Sequence, residues 1–409
     1  MPGSSQRPPR QAAIGFILMT VLLDVLSFGI VIPVLPKLVE EFLSGDTAEA
    51  AQVYGLMGTA WALMQLLCSP IQGALSDRFG RRPVVLLSNI GLGLDYLLMA
   101  LAPSLSWLFA GRVLSGIAAS GFSTAGAYIA DVTPPEKRAS GFGMIGAAFG
   151  LGFVLGPAVG GLLGASDPRL PFWGAAVVSL LNAGYGFFVL PESLPHHRRM
   201  AFSWRRANPI GSLTLLRSHP ALGSLAAVAF FGYLAHAVLP STAVLYVGYR
   251  YGWGPSAVGF MLAGAGVSAM LVQGVLIRPV TAKLGERRTL LAGLLCGAVG
   301  FLVYGLAPTG WIYCLGIPIM ALWGLAGPAT QALMTQRVGG GEQGQLQGAI
   351  AALSGIAGLI GPSLFTHIFA LFISRTPPVL PGAPFLLASV VLILAMTVAW
   401  RATKPAHAE

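Results

Sequence analysis

Three charged side chains interrupt the apolar runs of this 409-residue chain: Asp24, Asp95 and Arg112. A charge in a segment that crosses a bilayer costs several kcal/mol unless it is paired or hydrated, so it marks function by default. Two roles are open. One is a static buried ion pair that fixes packing. The other is a carboxylate that gains and loses a proton, with Arg112 tuning its hold on that proton. Depth permits a meeting. With a rise of about 1.5 Å per residue, Asp95 lies about 12 Å and Arg112 about 8 Å from the outer ends of their runs, and Asp24 lies near the middle of its own. His236 and His367 also fall in apolar runs, where a lone histidine is more often a hydrogen-bonded core group than a proton carrier. Gln65, Asn182, Gln273 and Gln331, with His236 beside them, are candidates to line a substrate cavity, and each serves equally well as interhelical glue.

Other chemistries find no support. No Ser/His/Asp set, no metal-spaced His/Cys cluster and no phosphate loop can be assembled, so no enzyme, cofactor or metal site is expected. Cys68, Cys296 and Cys314 all sit in apolar stretches and read as small core residues rather than a disulfide framework. The formal charge of +10 would suggest nucleic acid on a soluble domain. No basic patch interleaved with aromatics accompanies it, so no nucleic-acid partner is expected. The expected partners are a small-molecule substrate, protons and membrane lipids, with no oligomer required.

The elements that must position these residues are membrane helices. Hydrophobic residues make up 55% of the chain and charged residues 9%, against about 25% charged in soluble proteins. A spanning helix needs about 20 apolar residues. Runs bounded by charges, Pro or Gly predict twelve helices, at 12–36, 52–72, 84–103, 107–129, 140–164, 171–190, 221–247, 255–277, 289–308, 310–335, 346–372 and 383–401. The first reads as a retained helix, since it is too long for a signal segment and carries Asp24. With the N-terminus placed inside, nineteen of the 24 Lys and Arg fall in inside segments. Only Lys37, Arg169, Arg250 and Arg375 fall outside, which predicts cytoplasmic termini. The polar stretch from Glu192 to Pro220, with His196, His197, Arg198, Arg199, Arg205 and Arg206, reads as a linker. The expected organisation is an all-α membrane protein: a six-helix bundle over 1–191, a cytoplasmic linker over 192–220 and a second six-helix bundle over 221–409.

The chain repeats at an offset of 205 residues. Gly80 maps to Gly285, Arg82 to Arg287, Leu101-Ala102-Pro103 to Leu306-Ala307-Pro308, Gly111 to Gly316, and Gly156-Pro157 to Gly361-Pro362. Two parallel repeats imply a pseudo-two-fold axis along the membrane normal and a substrate site between the halves, which points to a carrier. Asp95 and Arg112 map to Gly300 and Ile317, so proton chemistry belongs to the first half.

Two motifs narrow the reading. Residues 73–83 read Gly-Ala-Leu-Ser-Asp-Arg-Phe-Gly-Arg-Arg-Pro. Gly73 and Gly80 permit a tight turn, Asp77 can pair with a cation, and Arg78, Arg81 and Arg82 can hold helix ends or anionic headgroups. The pattern resembles the signature loop of the major facilitator superfamily. That resemblance implies a latch on the cytoplasmic face; the second copy is degraded, with Ala282 and Glu286 at the positions of Asp77 and Arg81. In the fifth helix, Gly152, Gly156, Pro157, Gly160 and Gly161 form a close-contact ridge with a proline expected to kink it. This resembles the motif of antiporters in that superfamily.

Further matches resemble the tetracycline-resistance efflux proteins: Leu23-Asp24 with Ile32 to Pro36, Leu94-Asp95-Tyr96, Gly111-Arg112, Ala127 to Asp131, Leu284 to Arg288 and Gln343 to Gly348. The resemblance implies drug:proton antiport in a bacterial inner membrane, with Asp24, Asp95 and Arg112 in coupling and Asp131 with the loop residues in the gate. The chain also departs from that pattern. Where the family has a ninth-helix aspartate, it reads Leu294-Leu295-Cys296; where the eighth helix often has a histidine, it reads Val267-Ser268-Ala269. The seventh helix lacks the expected glutamine and offers His236. A facilitator or importer of a small metabolite is the alternative.

Overall fold

The computed structural model describes residues 10–119, 121–134, 137–202, 211–218, 220–339, 342–374 and 380–404. The Arg205-Arg206 part of the expected linker lies outside the described residues. Among the described residues every regular element is helical, as expected of a backbone that must satisfy its own hydrogen bonds in lipid.

The first pass is two helices, α1 (Arg10–Val31) and α2 (Leu35–Phe42). One continuous helix was expected here. Pro33 and Pro36 remove backbone donors at this point and divide it. The second pass, α3 (Thr47–Phe79), is longer than predicted at both ends. Its start is set by Asp46, whose carboxylate accepts from Ala48 and Glu49 N–H at 2.9 Å. Its end is set by Gly80, at φ 109°, which turns the chain directly into α4 (Arg81–Ala100). The fourth pass, predicted continuous, is α5 (Leu105–Ala118) and α6 (Gly121–Val132). Side chains of two neighbouring passes cap the freed carbonyls: Ser88 donates to Ala118, and Gln72 to Ile117. The antiporter-like glycines lie in α7 (Arg138–Ser166), which stays helical through Pro157, and α8 (Leu170–Val189) follows.

After the short α9 (Thr214–Ser218), α10 (Pro220–His236) and α11 (Val238–Tyr251) form the seventh pass. They part where Pro240 cannot donate to the His236 carbonyl. The segment Pro255–Leu306 has 52 residues, far longer than one crossing needs. It comprises α12 (Pro255–Leu271), a π-helical turn at Val272–Leu276 and α13 (Ile277–Leu306). It reverses at Gly285, which adopts φ 72°, ψ 165°. Gly80 and Gly285, paired by the 205-residue offset, thus share a positive φ. α14 (Gly310–Ala321), a 3₁₀ turn, α15 (Ala326–Thr335), α16 (Gln343–Ile373) and α17 (Ala383–Ala402) complete the chain. Nine segments of the described residues are long and apolar enough to span a bilayer. Three further passes are read from the backbone: α3, the α5–α6 pair, and the second limb of the Pro255–Leu306 segment.

The first six passes hold two apolar clusters. One gathers Val34, Met57, Tyr96, Met99 and Phe172. The other gathers Ile17, Val21, Val85, Tyr128 and Leu190, nearer the end that carries Asp77 and the arginines, here termed the basic end. The last six passes are knit by aromatic rings. Tyr304 and Tyr313 stack at 4.1 Å, and Tyr246 meets Phe385 at 5.0 Å.

Two seams join the first passes to the last. Along α3 and α16, Thr59 Oγ1 lies 2.8 Å from Ser363 Oγ and donates to the Leu359 carbonyl at 3.1 Å. Along α7 and α12, Gly161 and Gly259 touch backbone to backbone, and Ser256 donates to the Gly161 carbonyl at 3.3 Å. Nearer the basic end the same helices part: Gly73, Gly143, Gly146, Gly274 and Gly344 have open space where a side chain would project. The space between the seams forms a cleft whose close contacts gather toward the end away from Asp77.

The contact between α1 and α7 gives a stability prediction. A Cβ at Gly160 would lie 1.9 Å from the Ile30 carbonyl, whereas one at Gly143 meets nothing. Gly160→Leu is expected to lower the thermal unfolding midpoint in detergent by about 3 °C or more. Gly143→Leu should leave it unchanged.

Candidate functional site

The charged residues come from adjacent passes. Asp95 on α4 is 1% exposed and Arg112 on α5 is 9% exposed. The two carboxylate oxygens of Asp95 have no hydrogen-bond partner, nor has Oδ1 of Asp24. Among the described residues, ion pairs join Lys37 to Glu40, Arg81 to Asp77 and to Asp131, and Arg199 to Glu192. Asp95 and Arg112 are thus neighbours without a locked salt bridge. Asp95 Oδ1 lies 2.9 Å from the Cβ position of Gly111, so its carboxylate rests on the α5 backbone one residue from Arg112. The Arg112 guanidinium instead lies 5.6 Å over the ring of Trp61 on α3, a cation–π contact worth about 0.5–2 kcal/mol. Tyr96, fully buried, is within electrostatic reach of Asp24, Asp95 and Arg112 together. This draws the first-pass carboxylate into the same neighbourhood.

A buried carboxylate without donors is expensive when ionised. Its charge is therefore tied to the place of the guanidinium: a proton on the carboxyl, or a shift of Arg112 from Trp61 toward it, balances the charge. Trp61 carries no signal in an apolar run that would single it out, and Tyr96 is marked in the sequence only by the Leu94-Asp95-Tyr96 match, which gives it no role of its own.

The cavity candidates disperse. His236 is exposed at the end of α10, its ring 5.8 Å from that of Trp323. Gln65 reaches the freed carbonyl of Ala119 at 3.5 Å. Gln331 is exposed and donates to Gln347 at 3.2 Å. Asn182 is wholly buried between α8 and α1, where its amide donates to the Thr20 carbonyl at 2.9 Å.

At the basic end the loop residues form one network. Arg81 pairs with Asp77 at 2.6 Å and Asp131 at 3.2 Å and donates to Ser76 Oγ at 2.5 Å. Arg82 donates to the Phe187 carbonyl and lies over its ring, and Arg78 lies over Phe79 at 5.1 Å. Glu192, not singled out from sequence, accepts from the Arg81 backbone N–H at 2.8 Å and pairs with Arg199 at 3.9 Å. It caps α4 where a helix N-terminus favours negative charge. Every partner here lies between residues 76 and 200, so in this conformation the network binds the first six passes to the start of the linker.

The antiporter-like glycines serve two neighbours. Gly152, Gly156 and Gly160 face Val25, Gly29 and Ile30 of α1, while Gly161 and the Pro157 carbonyl face Gly259 of α12. One ridge thus fixes α1, which carries Asp24, and borders the cleft.

The sequence profile of the Major Facilitator Superfamily matches residues 17–362 and matches a second time over 225–409. This chain belongs to the Major Facilitator Superfamily. The second match begins near the start of the internal repeat. The chain is 40% identical over 354 residues to the tetracycline resistance protein, class C, of Escherichia coli, covering 87% of this chain and 89% of that protein. It is 34% identical over 389 residues to the class D protein of Salmonella ordonez, covering 95% and 96%. Among solved structures, the human organic anion transporter MFSD10 (TETRAN) matches with a TM-score of 0.71 at 26% identity, covering 96% of this chain and 100% of that one. The resemblance read from the motifs is borne out, and this facilitator-superfamily chain is a multi-pass membrane transporter.

The seat of Asp95 can be tested. Gly111→Ala places a methyl 2.9 Å from its carboxylate and 2.5 Å from the flexible Met99 side chain. Transport is expected to fall by about tenfold, an activation cost of about 1.4 kcal/mol, with protein yield unchanged. Initial rates in reconstituted vesicles check this.

Proposed function

We propose that this chain exports a drug-like amphipathic compound in exchange for protons across a bacterial inner membrane, with tetracycline among the candidate substrates. The basic end is cytoplasmic and both termini lie on that side. Residues 1–191 and 221–409 act as two bundles, joined by the linker over 192–220, that rock about the central cleft. The observation that carries the reading is Asp95, buried without a salt bridge or a well-formed hydrogen bond, near the Ser115 hydroxyl and an Arg112 held on Trp61.

In the open-inward arrangement, substrate reaches the cleft between the seams, where His236, Trp323 and Gln331 offer aromatic and polar contacts. Proton binding and release at Asp24 and Asp95 alternately free and recruit Arg112, which couples charge to the tilt of the first bundle. The Asp77–Arg81–Asp131 network is the cytoplasmic gate, and the glycine ridge of α7 is the surface on which the bundles roll. The likeness to tetracycline resistance proteins supports the direction of transport.

Purified protein in liposomes is the test, with tetracycline and several unrelated drugs offered with and without a pH gradient. The expected result is uphill accumulation of at least one compound only when the gradient is imposed; equal downhill movement in both conditions indicates a facilitator and overturns antiport. Asp24→Asn and Asp95→Asn are each expected to abolish gradient-driven accumulation in folded protein, and normal accumulation would remove those residues from coupling. Asp77→Asn is expected to slow turnover with substrate affinity little changed; an unchanged rate would remove the gate.

A further inference from the structure

The boundary between the two apolar clusters of the first six passes is polar. On α4, Asn89 lies between Val85 of one cluster and Leu92 of the other. On α8, Ser179 and Asn182 lie between Ala176 and Leu190 in the same way. Asn89, Ser179 and Asn182 are 0% exposed and Thr124 on α6 is 1% exposed. Asn89 Oδ1 and Nδ2, Asn182 Oδ1, Ser179 Oγ and Thr124 Oγ1 all lack a hydrogen-bond partner.

Helix register brings them together. A Cβ at Gly93 would meet Leu180 at 2.7 Å, and one at Gly186 would meet Leu86 at 2.9 Å. In this antiparallel pair Asn89 shares the stripe of Leu86 and Gly93 and falls opposite residues near Asn182. The Asn182 bond to Thr20 adds α1. Thr124 and Tyr128 on α6 share a face one turn apart, and Tyr128 packs with Ile17, Val21 and Val85.

Buried amides and hydroxyls are almost always satisfied, by protein or by internal water with two to four polar partners. We propose that Asn89, Thr124, Ser179 and Asn182 form an internal hydrated chamber that relays protons between the buried carboxylates and the basic end. The relay rests on the proton-coupling reading above; the hydration does not.

The chamber is placed for this work. Asp24 is one turn beyond Thr20, about 6 Å along α1, and Asp95 is about 9 Å beyond Asn89 along α4. On the other side, Tyr128 hydrogen-bonds the Pro191 carbonyl at 2.9 Å, next to the Glu192 network. The carboxyl proton passes to a water, each water or hydroxyl donates one proton as it accepts another, and the last is released at the basic end. The amides hold the waters and are not themselves protonated. The other ionisable groups on the surrounding helices are Arg10 on α1, Arg81, Arg82 and Tyr96 on α4, Arg112 on α5, Asp131 on α6 and Tyr185 on α8.

The test uses the full chain in lipid. Infrared spectra follow the carboxyl C=O band of protonated Asp24 and Asp95 after a jump into D₂O, with Asp24→Asn and Asp95→Asn assigning the band. Asn89→Leu with Thr124→Val fills the chamber with apolar groups of similar volume. It is expected to slow band exchange at least tenfold and to abolish pH-gradient-driven tetracycline uptake while tetracycline counterflow persists. Asn89→Ser, which keeps a donor and an acceptor, should restore both, and Ser179→Ala alone should slow exchange severalfold. Exchange at the wild-type rate in the filled or Ser179→Ala protein overturns the chamber. Slowed exchange in a chain whose wild type shows no gradient-driven uptake of tetracycline or of any of the unrelated drugs supports the chamber and refutes proton coupling instead.

Discussion

An unpaired charge in an apolar interior is the constraint on which the rest of this transporter depends. Solvation of a carboxylate by water is lost on burial, and only a proton, a donor or an opposite charge replaces it. Asp95 has its oxygens against the α5 backbone without a well-formed hydrogen bond, the buried Ser115 hydroxyl being a donor in its neighbourhood, and Arg112 is occupied by the face of Trp61. In the proposed mechanism that balance has two solutions, a protonated carboxyl or a guanidinium moved beside it. On that proposal each solution places the guanidinium, and with it α5, differently.

The packing around this group suits such movement. Most side chains in a protein interior interlock and resist sliding. The ridge of α7 has hydrogen atoms where side chains would be, so α1 and α12 approach it backbone to backbone at Gly156 and Gly161. Smooth helix surfaces of this kind let one element roll on another without unlocking a core. The last six passes supply the contrasting element. Their interior is a stack of Tyr246, Tyr304, Tyr313 and Phe385.

Much of this was legible in the residues themselves. Hydropathy placed most helices to within a few residues, since transfer to lipid depends on local composition. The 205-residue offset reappears in the shared backbone turn of Gly80 and Gly285. The helix breaks at Ile32, Ala119 and Ala237 were not legible, because whether a proline or small residue interrupts a helix depends on what satisfies the freed carbonyls. At the fourth pass those partners are Ser88 and Gln72 from other helices.

The sequence by itself determined that the chain crosses a membrane many times, is internally repeated and keeps the charges within its apolar runs in the first half, since composition and spacing are properties of the linear chain. Only the tertiary structure decided which face each residue occupies and what it meets there. Arg112 met Trp61 rather than Asp95, and Asn182, polar and mid-span like the cavity candidates, faced inward among α1 and α8. Successive helical residues point about 100° apart, so depth along a helix fixes height in the membrane and leaves the direction of each side chain to packing.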